Sequence, residues 1–149
     1  MRQGGAYQTE REALAIVISE EVSKGWVPRR FTKSQERVEG CDLVSRSPDG
    51  VEHRVEVKGW GQPLLDARGI TGEADINAEQ MERARTDPLW RLEIVANLTA
   101  ARTTGAPIER LTVTASEVAT RSKEWKYRVR LDGLESRVER AQAPTVDKS

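Results

Sequence analysis

Residues 51–58 (VEHRVEVK) set His53, Val55 and Val57 in strict alternation with Glu52, Arg54, Glu56 and Lys58. A period of two residues matches an extended strand, in which successive side chains point to opposite faces. The strand follows Ser47-Pro48-Asp49-Gly50, a turn by composition: Pro presets φ, Asp bonds the backbone locally, and Gly tolerates a left-handed φ. Before that turn stands a short apolar strand, 41–45 (CDLVS). Two strands joined by a short turn make a hairpin. The chain is therefore committed to a sheet, and the pattern predicts a half-buried 51–58 strand with one apolar and one charged face.

The rest of the chain arranges itself around that hairpin. Residues 1–8 (MRQGGAYQ) are Gly-rich and polar and read as a flexible leader. Thr9 can cap a helix whose positive first turn suits Glu10 and Glu12, and Gly25 stops it. Leu14, Val17, Ile18 and Val22 form its apolar stripe, with Glu10 on the same line one turn earlier. Residues 26–40 read as a mostly polar connection and 59–75 as a long loop. A helix follows over 77–85, then a buried strand over 90–98, a loop over 99–107, and strands over 110–114 and 125–131. From Glu135 the apolar content drops. The reading is a leader (1–8), one domain (9–134) and a tail (135–149), the domain being α/β or α+β, with helices flanking a central mixed sheet.

Composition narrows the function classes. A chain of 149 residues builds one ordinary core. No apolar run exceeds residues 13–18, far short of a membrane span, and Glu10 and Glu12 stand where a signal peptide would turn apolar. No membrane association and a cytoplasmic address are expected. The lone Cys41 excludes a disulfide framework and a Cys-based zinc site. With 24 basic and 24 acidic side chains, the chain does not resemble proteins that coat nucleic acid nonspecifically, although a local basic groove stays open.

The chemistry concentrates on the hairpin. Glu56 and Lys58, two residues apart, share a strand face, and folding brings Asp42 of the other strand beside Glu56. Two carboxylates with an ammonium next to them suit a hard divalent cation. Mg²⁺, or Mn²⁺ in its place, keeps several waters, so Asp42, Glu56 and a strand carbonyl such as that of Val57 suffice as ligands. Such a metal polarises a scissile phosphate and activates water, while Lys58 positions that water or stabilises developing charge. The residues thus point to phosphodiester hydrolysis; the same pattern also suits a solvated charged strand face.

Several ordered pieces extend the pattern: Glu10 at the helix start, Gly25-Trp26 at its end, Cys41-Asp42-Leu43, Val55-Glu56-Val57-Lys58-Gly59, then Ile76-Asn77-Ala78-Glu79-Gln80 ahead of an apolar strand. From Thr9 to about Gly133, the chain resembles the NO VEIN C-terminal-like domain, a family of the PD-(D/E)XK nuclease type. The resemblance implies a restriction-endonuclease-like core and a Mg²⁺- or Mn²⁺-dependent nuclease acting on DNA, in restriction, defence or repair. It assigns Asp42 and Glu56 to the metal, Lys58 to the nucleophile, and supporting roles to Glu10 and Gln80. Two departures stand out: Glu79-Gln80 replaces the family's Asn-Glu, and the loop after Lys58 is longer. The rival reading is a non-catalytic nuclease-fold module that binds nucleic acid or a partner protein. Double-strand cleavage would call for a homodimer.

Other residues have blander expectations beside them. His53 and Cys41 read as structural, and Trp60 either stacks on a base or covers the hairpin end. Lys126, Arg128 and Arg130 line one face of the 125–131 strand, with Arg121 and Lys123 upstream. That face is the candidate for nucleic-acid backbone contact, or else a charged edge that resists strand pairing.

Overall fold

The computed structural model describes residues 2–70, 72–122 and 128–144. Helix α1 (Arg2–Ser23) is followed by β1 (Val27–Arg30), α2 (Lys33–Glu39), β2 (Leu43–Arg46) and β3 (Glu52–Gly59). Three short strands, β4 (Leu65–Asp66), β5 (Gly69–Ile70) and β6 (Glu73–Asp75), lead to α3 (Ala78–Thr86). Then come β7 (Arg91–Ala96), α4 (Leu98–Thr104), β8 (Ile108–Thr114), α5 (Ala115–Arg121), β9 (Arg128–Arg130), a 3-10 turn at Glu135–Arg137 and β10 (Glu139–Ala141).

Six strands form one mixed sheet in the order β1-β2-β3-β7-β8-β10. The hairpin forms as its sequence predicts: β2 and β3 are antiparallel with Leu43 opposite Val55 and Ser45 opposite His53. Gly50 takes a φ of 86° in the turn, and the Val51 N–H donates to Ser47 Oγ at 3.1 Å. The β3–β7 pair is parallel, Val57 facing Glu93 in register. A parallel pair needs a long crossover, which is the service performed by β4 to β6 and α3.

Both faces of the sheet are covered. On one, Ala13, Leu14, Ile16 and Val17 of α1 pack on Leu43, Val55, Val57 and Val95. On the other, Met81, Ala84 and Val118 pack with Trp90, Leu92, Ile94 and Leu111. The second layer changes the reading of β3: Val55, Glu56 and Val57 are all buried, so the strand is not half exposed. The approach of α1 depends on Gly59, where a Cβ would lie 2.7 Å from the Thr9 carbonyl oxygen and 2.8 Å from the Ala13 Cβ.

Several boundaries differ from expectation. Helix α1 starts at Arg2, so residues 2–8 are helical and Thr9 is not its cap. The core-facing line of α1 runs through Ala13 and Val17 to Glu21, which is 2% exposed, while Val22 is 58% exposed. Glu21 faces inward because Arg91 and Lys24 meet its carboxylate. The network continues on that face, Arg91 pairing with Glu93 at 2.7 Å and Arg110 with Glu93 at 2.8 Å and Glu20 at 2.9 Å. Strand β1 and helix α2 occupy the stretch read as a connection. Helix α4 lies in the 99–107 loop, and α5 is an addition. The expected tail contributes β10, which pairs with β8 and carries Arg140 to Glu109 at 3.1 Å. Of the 125–131 strand, Val129 of β9 and Leu131 just after it are buried as the alternation predicts; Lys123, Trp125, Lys126 and Tyr127 lie outside the described residues.

Candidate active site

Asp42 stands immediately before β2, held by the backbone on both sides. The Phe31 N–H donates to its carbonyl at 3.0 Å, and its own N–H donates to the Val55 carbonyl at 3.0 Å. The corner leading into it is anchored by Trp90, whose indole N–H donates to the Gly40 carbonyl at 2.8 Å. Gly40 takes a φ of 68°, and a Cβ there would sit 2.7 Å from the Glu79 carbonyl oxygen, so α3 presses directly on this turn.

The Asp42 carboxylate reaches across to β3, where Oδ2 accepts the Val57 N–H at 2.7 Å. Asp42 thereby replaces a strand partner where β2 has not yet begun. N–H and C=O of one strand residue point to the same side, so the Val57 carbonyl is directed toward Asp42's side of β3. Glu56, on the strand face opposite α1, is 4% exposed. Burial first, and then Asp42, push the Glu56 carboxyl up to about 8. Lys58 Nζ lies 3.2 Å from Glu56 Oε2 and pulls the other way without prevailing. Near neutral pH, Glu56 therefore keeps its proton beside Asp42, as expected for two carboxyls sharing a desolvated place with one ammonium.

That arrangement bears on a divalent cation. A buried carboxyl with too little positive charge around it is a group that a hard cation would ionise, and Asp42, Glu56 and the Val57 carbonyl are oxygen donors of the right kind. Among the described residues, no group of three or more His, Cys, Asp or Glu side chains is arranged to hold a metal.

Glu10 is exposed on α1, next to the Thr9 carbonyl that packs on Gly59. Glu36, which the sequence reading passed over, joins this end of the sheet from α2. Burial raises its carboxyl, Asp42 and, more weakly, Glu10 raise it further, and Lys33 and Arg30 oppose. Its signal was present in the sequence. Thr32 and Gln35 form a capping box at the start of α2, and Gly40 ends the helix in the left-handed region, which together place Glu36 in the first turn. Helix α2 is clamped by Arg54, which bonds Glu39 at 2.8 Å and Asp87 at 3.2 Å, and by Arg83, which donates to the Glu39 carbonyl at 3.0 Å.

The remaining expected site residues have visible partners of their own or stand exposed. The Gln80 side-chain oxygen accepts the Asn77 N–H at 3.0 Å, closing the capping box of α3, so its visible work is to start that helix. Arg128 is near Glu73 at 3.8 Å and Asp75 at 3.6 Å across the β6–β9 pair, and Arg130 is exposed. Arg121 is spent on the Arg130 and Asp132 carbonyls, at 3.1 and 2.9 Å. His53 meets the Trp26 ring edge-on at 4.8 Å, with burial and Arg91 lowering its pKa. Cys41 is buried, and burial together with Glu56 pushes its thiol up to about 12, out of the range of a nucleophile. Trp60 packs against the larger core cluster.

No family model matches the chain, and no match was found among curated proteins or solved structures. No helix among the described residues is long and apolar enough to cross a membrane.

Proposed function

We propose that this chain is a nuclease-like domain of the PD-(D/E)XK type, with a restriction-endonuclease-like core, that hydrolyses DNA phosphodiester bonds with Mg²⁺ or Mn²⁺. The resemblance to the NO VEIN C-terminal-like family points the same way; the activity would serve restriction, defence or repair, and the composition suits a cytoplasmic address. The observation that carries the reading is the junction of the hairpin strands: Asp42 fixed on the Val57 N–H, Glu56 buried beside it, and Lys58 at 3.2 Å.

Asp42, Glu56 and the Val57 carbonyl are the groups that would hold the cation, which when bound supplies Lewis acidity and a water of lowered pKa. The Val57 N–H orients the Asp42 carboxylate from behind. Lys58, the cation beside Glu56, stabilises negative charge developing on the reacting phosphate and orients the attacking water. Glu10 and Glu36 lie at the same end and add negative potential that favours a divalent ion.

The test is metal-dependent nicking of plasmid DNA. Cleavage with Mg²⁺ that disappears in Lys58→Ala supports the assignment, and cleavage that persists in that variant overturns it. Among the described residues no three metal-ligating side chains stand together, which favours a second reading, a non-catalytic module that binds nucleic acid or a partner protein. Thermal shift with Mn²⁺ separates the two. A preformed site raises the melting temperature of the wild type and not of Asp42→Asn, whereas an unchanged wild type points to the binding module.

A further inference from the structure

We infer that the β1–α2 edge of the sheet, through Arg29, Arg30, Lys33 and Arg37, grips the phosphate backbone of a DNA duplex as it enters the Asp42–Glu56–Lys58 centre. This inference rests on the nuclease-like reading above and adds the surface that holds its substrate.

Place is the first argument. In the β1–β2 register Arg30 is opposite Leu43 and Arg29 opposite Val44, and the Phe31 N–H bonds the Asp42 carbonyl at 3.0 Å. Strand β1 therefore runs one strand spacing, about 4.8 Å, from the backbone that carries Asp42. Arg30 also lies within electrostatic reach of Glu36, which in turn senses Asp42. The Arg29 guanidinium sits over the Phe31 ring at 5.3 Å, beside a cavity of about 420 Å³ between α2 and the sheet.

Charge is the second. Residues 29–37 hold four cations and one acid, Glu36. Glu36 is half buried, while Arg29, Arg30, Lys33 and Arg37 are exposed. Among the described residues Arg29, Arg30 and Arg37 have no carboxylate within ion-pair distance, and Lys33, whose side chain is 90% exposed, reaches Glu36 only at 3.8 Å. Several arginines elsewhere in the chain are paired with acids. Arg54, Arg91 and Arg110 are each bonded to carboxylates, and Arg128 of β9 faces two. Lys33 and Arg37, four residues apart on α2, stand one above the other on one helix face.

Electrostatics connects the two. The hairpin end carries the carboxylates of Glu10, Glu36 and Asp42, a field that repels a polyanion. A duplex can approach only where neighbouring cations replace its counterions, and the uncompensated cations next to Asp42 are those of this edge.

The experiment measures binding of a labelled DNA duplex by fluorescence anisotropy across a salt series. It uses the full chain in Mg²⁺ with Lys58→Ala, so that the duplex stays intact. Joint substitution Arg29→Gln, Arg30→Gln, Lys33→Gln and Arg37→Gln is expected to weaken binding at least tenfold and to lower the salt slope by about 0.9 per lost contact. Arg29→Lys with Arg30→Lys and Arg37→Lys should retain the slope, and Arg46→Gln, at the far end of β2, should leave it unchanged. An unchanged affinity and slope in the four-site variant, with DNA still bound, overturns this inference alone and leaves these cations as guards of an edge strand. A parent protein that neither nicks nor binds DNA removes both this inference and the nuclease-like reading.

Discussion

The Asp42 carboxylate accepts a hydrogen bond from the Val57 backbone N–H at 2.7 Å, so one side chain both completes the β2–β3 pairing and stands beside Glu56. Structure and proposed chemistry are thereby tied to one group, and substitutions can separate them. Asp42→Asn keeps an acceptor for the Val57 N–H and should fold with a melting temperature close to wild type. Asp42→Ala leaves that N–H without a partner and should cost about 1–3 kcal/mol. Calorimetry of the two variants checks this; equal stability would show that the bond contributes nothing.

Glu56 gives the chain a pH dependence of defined sign. Its carboxyl is raised from 4.5 to about 8 in the folded state. A group raised on folding contributes stability that is complete below its unfolded pKa and is lost as pH rises through the folded value. Wild type should therefore lose stability between 4.5 and about 8. Glu56→Gln, which has no charge to desolvate, should lack that loss. Expected is a Tm advantage for Glu56→Gln on the order of a few degrees at alkaline pH, vanishing under acid conditions. Parallel Tm–pH profiles for the two proteins would contradict the assignment.

Gly59 sets how closely α1 can lie on β3. An alanine there would put its Cβ 2.7 Å from the Thr9 carbonyl, a backbone atom that moves only if the helix moves. Gly59→Ala should destabilise by about 1–3 kcal/mol as an overpacked contact. If the protein is a nuclease, the variant should also lose activity, since Lys58 and Glu10 flank this contact. Chemical denaturation measures the first effect and plasmid nicking the second.

Cys41 should be chemically silent in the native state. Its thiol is 1% exposed and pushed up to about 12, chiefly by burial. A disulfide reagent at neutral pH should label it only at the rate of unfolding, and quickly in denaturant. Rapid stoichiometric labelling of the folded protein would show that the corner before Asp42 opens readily.

The hairpin was legible because its evidence is local. Alternation over 51–58 and the Ser47-Pro48-Asp49-Gly50 turn are written in neighbouring residues, and pairing two antiparallel strands across so short a turn leaves little choice of register. The approach of Asp42 to Glu56 follows from that register. Helix 77–85 and strand 90–98 were legible for the same reason, as continuous patterns with clear stops.

Tertiary structure decided what lies over those elements. Strand β1 and helices α2, α4 and α5 are each of four or seven residues, too short for a periodic signal, and their stability comes from contacts made elsewhere, such as Arg54 and Arg83 on Glu39. No residue-by-residue pattern tells that both sheet faces are covered, so the burial of Glu56, and with it the raised pKa, came only from the packing of the second layer. The same holds for α1, where Glu21 turned inward in place of Val22 because Arg91, 70 residues away, waits on the sheet. The sequence by itself determined which carboxylates meet; the layers around them determined that one of the two, Glu56, is held out of water, because only packing against a second layer removes solvent from a side chain on a sheet face.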